Sequence, residues 1–181
     1  MVHFSVPTGN FGDILAGYYA KRMGLKVGKL VVATNENDIL DRFFKSGKYW
    51  REGIKSTLSP SMDICVSSNF ERYLFHLSGD NSGTLSEWMR VFEKDGKLTI
   101  DGKLLEEANA TFGSAMGSEE EVLKVMKEYN EKHNYLFCPH SAIGVIAADK
   151  FVKSKNFDET DAKYPMVCLA TASSGKFLDA V

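Results

Sequence analysis

The sequence predicts an α/β fold on a parallel sheet. Two short apolar runs near the start, residues 2–6 and 30–33, are each followed by a helix-compatible stretch. Strand, helix, strand, helix at this spacing is the pattern of parallel βαβ units. A turn of small residues follows the first run and opens a helix. A second small-residue turn follows the last apolar run, residues 166–170. At 181 residues the chain fits one ordinary domain. That length buries a sizeable core without disulfide or metal staples.

The elements follow in order. Residues 2–6 read as a buried strand, and a helix runs from about Asp13 to Met23, where Gly24 stops it. Residues 30–33 are too short for a helix and rich in β-branched side chains, so they read as a second strand. Asp38 is placed to cap a helix over 39–44. The Leu58-Ser59-Pro60-Ser61 run breaks the pattern, and a helix over 68–77 follows, with Ser68 and Glu71 spaced as a capping box. Residues 79–134 read as a mostly helical insertion, with helices over 85–92, 104–112 and 119–132. Ser118 ahead of Glu119, Glu120 and Glu121 marks a capped start whose charges suit the helix dipole. The core is expected to resume as Tyr135-Leu136-Phe137. A small-residue helix over 141–151 and the strand over 166–170 complete the order.

Composition excludes several function classes. A net charge of -2 does not suit non-specific nucleic-acid binding. No segment is apolar enough to span a membrane, and the start lacks a secretory pattern, so the expected location is the cytoplasm. Cys65, Cys138 and Cys168 are far apart without a CxxC pair. They read as free thiols in a reducing compartment, and no metal site is expected.

Two turns lie where ligands sit in open parallel sheets, beyond the carboxyl ends of strands. The first, Val6-Pro7-Thr8-Gly9-Asn10-Phe11-Gly12-Asp13, can turn several N–H groups toward one anion ahead of a helix N-terminus. The second, residues 171–176, offers hydroxyls at Thr171, Ser173 and Ser174. A phosphorylated ligand bridging them is one reading, and ordinary βα turns are the other. The first turn is neither Gly-x-Gly-x-x-Gly nor a P-loop, because it lacks the lysine. His140, after Pro139 and ahead of a helix, reads as a base active near neutral pH or as a structural histidine. Asp63, Glu71 and Arg72 are candidates for a polar cluster. Asn35, Asn37 and Asp38 follow a strand, where they face the crevice or simply make a turn.

Residues 7–18, Pro-Thr-Gly-Asn-Phe-Gly-Asp-Ile-Leu-Ala-Gly-Tyr, resemble the phosphate-cup motif of threonine synthases. Residues 33–43, 58–64 with 67–72, 139–144, and 170–172 through Lys176-Phe177 are similar to further blocks of that family, in family order. The resemblance implies a pyridoxal 5'-phosphate enzyme of the tryptophan-synthase β-like, three-layer parallel-sheet fold (fold type II), of which residues 1–181 are the C-terminal portion. It implies conversion of O-phospho-L-homoserine and water to L-threonine and phosphate. Gly9, Asn10, Phe11 and Asp13 would cup the cofactor phosphate, and Thr171 would hydrogen-bond the pyridine nitrogen. The family usually has Asp-Pro-His-Thr-Ala where this chain has Cys138-Pro139-His140-Ser141-Ala142, and His-Pro-Ala where it has Ser173-Ser174-Gly175. The Cys-Pro-His-Ser form is similar to the threonine-synthase-like branch, which implies a phospho-lyase on O-phosphothreonine or O-phosphoserine as the alternative activity, with a non-catalytic binding or signalling protein as another. The family's Schiff-base lysine lies upstream of the cup, and Lys21, Lys26 and Lys29 match no lysine motif. The resemblance therefore assigns no catalytic residue to this chain. It names a phosphorylated amino acid and the N-terminal half of the enzyme as partners.

Overall fold

Strand β1 (Val2–Pro7) sits inside a four-stranded sheet ordered β5-β2-β1-β6. Its partners β2 (Val27–Thr34) and β6 (Met166–Cys168) run parallel to it, and β5 (Phe112–Met116) runs parallel to β2. The computed structural model describes residues 1–177. β2 is a nearly unbroken buried run, as a strand covered on both faces must be. Leu30 and Val32 join one core cluster, and Val31 and Ala33 join the other. The first cluster packs under α1 (Gly12–Arg22), α2 (Ile39–Ser46), α3 (Phe70–Leu77) and α5 (Gly102–Thr111). The second lies under α6 (Glu119–His133) and α7 (Pro139–Val152). The result is three layers, helices on both faces of one parallel sheet. α4 (Ser82–Asp95) and a small antiparallel pair, β3 (Lys48–Trp50) with β4 (Lys97–Thr99), flank the first layer.

α7 is apolar around most of its circumference and buried from Pro139 to Ala148. A helix of this kind has to be enclosed. It crosses behind β1, where the buried Ser5 hydroxyl donates to the Gly144 carbonyl at 2.6 Å. The buried His3 ring is likewise spoken for, with Nδ1 accepting from the Lys29 amide and Nε2 against the Asp161 carbonyl.

Four expectations are corrected. Residues 79–134 supply α4, α5 and α6 as their charged pattern predicts, but also β4 and β5, and β5 is an edge strand of the main sheet. Phe112 begins that strand instead of ending a helix. The core does not resume at Tyr135-Leu136-Phe137: Tyr135 and Leu136 are exposed, and only Phe137 turns inward, packing on Tyr129 at 4.8 Å. Ser68 and Glu71 make no capping box: α3 begins at Phe70, and the Ser68 amide donates to Asn10 Oδ1 at 3.3 Å. Asp38 precedes α2 without a side-chain cap bond, because its carboxylate pairs with Arg42 at 2.8 Å. The Ser118–Glu121 capping box is present in full. Among the described residues, no helix is long and apolar enough to cross a membrane.

Candidate functional site

The first turn leaves β1 with its last ladder bonds made. The Thr8 amide donates to the Ala33 carbonyl at 2.7 Å, and its hydroxyl donates to Val6 O at 2.6 Å. Gly9 follows, and a Cβ there would lie 3.0 Å from the Ser61 carbonyl and 3.3 Å from Met62 Cα. The glycine is needed because the backbone of a short 3₁₀ helix, Pro60–Met62, crosses directly beside it. Phe11 is left-handed (φ 62°, ψ 7°) and is the residue that opens α1. A left-handed residue running into a right-handed helix turns successive N–H groups into one concavity, an anion-binding nest. Among the described residues, the amides from Gly9 to Ile14 donate to no protein acceptor; the first helical bond is Leu15 N–H to Phe11 O.

That backbone is held from below. The Phe11 ring is buried, 5.1 Å from Phe70 and 5.6 Å from Phe112. The left-handed conformation costs about 1–2 kcal/mol for a side chain of this kind, and this aromatic packing offsets it. The Asn10 carbonyl accepts from the Asn69 amide and from Asn69 Nδ2 at 2.9 Å. Asn10 and Asp13 are exposed.

The second turn follows β6. The Leu169 amide donates to Ser5 O, and the Thr171 amide donates to the Ser141 hydroxyl at 3.1 Å. Gly9 and Thr171 then line one cavity of about 170 Å³ with Ser61, Met62, His140 and Phe177. Asn10, Phe11 and Asp13 are not among its lining residues, and Phe11 can serve a ligand only through its backbone. Ser61, Met62 and Phe177 carry no site role in the sequence reading, although the first two fall in the 58–64 block that resembles the family and Phe177 closes the last such block. A larger hollow of about 590 Å³ lies along β5 and includes none of the site residues expected from the sequence.

His140 is 5% exposed and sits in the first turn of α7, with Nε2 accepting the Ser61 amide at 3.3 Å. Burial pushes its pKa below the ordinary imidazole value, and the Asp63 carboxylate opposes that shift. The nitrogen that would serve as a base is already an acceptor, so the structural role fits this histidine. Asp63 does not meet Glu71 or Arg72, which are exposed. Its carboxylate accepts from Asn35 Nδ2, Asn37 Nδ2, and the amide and hydroxyl of Thr57, at 2.6 to 2.9 Å. This network fixes the 57–63 loop, and through it Ser61 and Met62, at the carboxyl end of β2. Cys138 takes the place of an N-cap oxygen, its sulfur accepting the Ser141 amide at 3.4 Å.

The signature described as "Threonine synthase, C-terminal" matches residues 141–181. The chain is 45% identical to the threonine synthase of Schizosaccharomyces pombe over 99% of its own length and 38% of that protein. It superposes on PLP-bound threonine synthase from Brucella melitensis with a TM-score of 0.91 at 45% identity, covering 99% of this chain and 37% of the other. The chain matches the C-terminal part of the threonine synthase family. Its fold is accordingly that of the fold type II pyridoxal-phosphate enzymes. The human protein named threonine synthase-like 2 is 36% identical over 100% of this chain and 36% of that protein. The chain thus spans less than two-fifths of the length of the threonine synthase family members it matches.

Proposed function

We propose that this chain supplies the cofactor-phosphate cup and the ring-nitrogen partner of a threonine synthase-type enzyme. The observation that carries the reading is the shared cavity of Gly9 and Thr171, with the free amides of residues 9–14 beside it. The donor set fits pyridoxal 5'-phosphate at both ends. A dianionic phosphate asks for convergent N–H donors at a helix N-terminus, which the turn from Gly9 to Asp13 offers. A pyridine nitrogen asks for a neutral hydroxyl, which Thr171 offers. When bound, the cofactor supplies an electron sink. Thr171, being uncharged, does not force a proton onto the ring nitrogen as a carboxylate would. His140 holds the Ser61 amide and, kept neutral by burial, adds no charge to the cavity wall.

The reaction that follows from this reading is O-phospho-L-homoserine and water to L-threonine and phosphate, a carbon–oxygen lyase step on a phosphorylated amino acid. No lysine lines the cavity among the described residues. We place the covalent anchor and proton carrier in the N-terminal half of the enzyme, and this chain alone binds the cofactor reversibly without turnover. Free thiols at Cys65, Cys138 and Cys168 suit a cytoplasmic setting.

Titrating the 181-residue chain with pyridoxal 5'-phosphate, and separately with pyridoxal, tests the reading by cofactor fluorescence. Saturable binding of the phosphate ester and at least tenfold weaker binding of pyridoxal is the expected result. Equal affinities would mean that the phosphate is not what the chain holds.

A further inference from the structure

The Thr171 turn is exposed and weakly tethered. β6 is a three-residue edge strand that ends at Cys168. Beyond the Leu169 amide, the next backbone donor before the short 3₁₀ turn Ser174–Lys176 is Thr171, and its acceptor is the side chain of Ser141. Ser141 is 2% exposed, so water does not compete for its hydroxyl. The Cys138 sulfur accepts the Ser141 amide and lies 3.1 Å from the Ser141 oxygen. With the sulfur as acceptor, the Ser141 O–H points at it and leaves the oxygen lone pairs to the Thr171 amide. Donor and acceptor are then ordered along a chain, Thr171 N–H to Ser141 O–H to Cys138 sulfur, in which each bond polarises the next.

The same end of α7 fixes the other cavity walls. His140 Nε2 holds the Ser61 amide. Gly144 accepts from the Ser5 hydroxyl, and a Cβ at Gly144 would lie 3.2 Å from the Pro7 ring, at the root of the Gly9 turn. The first turns of α7 are thus the common reference for both ends of the cavity.

We propose that Ser141 is a positioning residue: its hydroxyl sets Thr171 at a fixed place relative to the Gly9 amides. Its consequence for the cofactor ring rests on the function proposed above; its hold on Thr171 does not. Ser141→Ala removes the acceptor and keeps the Cys138 cap, because residue 141 still donates its amide. Ser141→Thr keeps the acceptor.

The test is amide hydrogen exchange on the full chain, residue by residue, with thermal melting as a control. Ser141→Ala is expected to speed exchange at Thr171 by roughly two- to tenfold, the effect of losing one ordinary hydrogen bond. Leu169 and the α7 amides should keep their rates, and Ser141→Thr should restore Thr171. Unchanged exchange at Thr171 overturns the proposal. So does a rise shared by Leu169 and α7, which would make Ser141 a general stability residue. In parallel, affinity for pyridoxal 5'-phosphate should fall in Ser141→Ala and recover in Ser141→Thr. If the unaltered chain binds the cofactor and Ser141→Ala binds it equally well, the link from Ser141 to the ring is wrong. If the unaltered chain does not bind it, the function proposed above fails, and the exchange rates still decide the role of Ser141.

Discussion

Phe11 does two jobs that pull against each other. Its backbone takes the left-handed conformation that turns the amides outward, and its ring is buried against Phe44, Phe70, Tyr73 and Phe112. Phe11→Ala is expected to cost about 3–5 kcal/mol, the range for emptying a packed aromatic site. Urea unfolding would show it, and cofactor affinity should fall with it, since the ring holds the turn in place. His140 carries a pH signature. Its folded pKa lies below the unfolded value because burial disfavours the charged ring. The unfolded chain therefore binds the proton first as pH falls, so this residue's contribution is complete above the ordinary imidazole range and is lost below it. The urea midpoint should fall as pH drops through and below the ordinary imidazole range, and His140→Gln, which can still accept the Ser61 amide, should flatten that slope.

Elements differ in how far local sequence decides them. The cap of α7 is a thiol, a weaker acceptor than a hydroxyl or carboxylate. Cys138→Ala should destabilise the chain by about 1 kcal/mol, whereas Cys138→Ser, which puts the stronger acceptor in the same place, should not, both measurable by thermal melting. The helices with strong periodicity and caps were legible: α6 announces itself through Ser118 and its glutamates, and α1 through the glycines at its two ends. β5 was not. Leu104, Leu105, Ala108 and Phe112 keep helical spacing, and Gly113-Ser114-Ala115 lack β-branched residues, so nothing local marks the change to strand. Pairing with β2 decides it, with Gly113 leaving room for the Phe151 ring. The Ser68–Glu71 spacing misled for a similar reason. The Ser68 amide is drawn away to Asn10, a contact between segments nearly sixty residues apart that no local pattern encodes. Tyr135-Leu136-Phe137 is apolar enough to read as core, yet it is the link between α6 and α7 and leaves Tyr135 and Leu136 exposed.

Across the molecule, the parallel sheet was readable because β1 and β2 are apolar runs at βαβ spacing, and the two small-residue turns fall at their expected ends. The convergence of those turns was readable only as a rule about open sheets. Its execution depends on α7, whose Ser5, Ser61 and Thr171 contacts join residues far apart in the chain. The identity of the walls between the turns, Ser61 and Met62, depends on the Asp63 network with Asn35, Asn37 and Thr57, which composition alone did not connect. The sequence also could not assign Gly9 its reason: the close approach of the Ser61–Met62 backbone accounts for it without any ligand.

One arrangement decides the proposed function: a phosphate held by the amides beginning at Gly9 while Thr171 meets the ring it carries. An amide chemical-shift titration of the full chain with pyridoxal 5'-phosphate reads both ends at once. Saturable shifts concentrated at Gly9 to Asp13 and at Thr171, with the Gly9 group alone responding to inorganic phosphate, are the predicted result. Shifts gathered along β5, or a Thr171 signal indifferent to the cofactor, would contradict it.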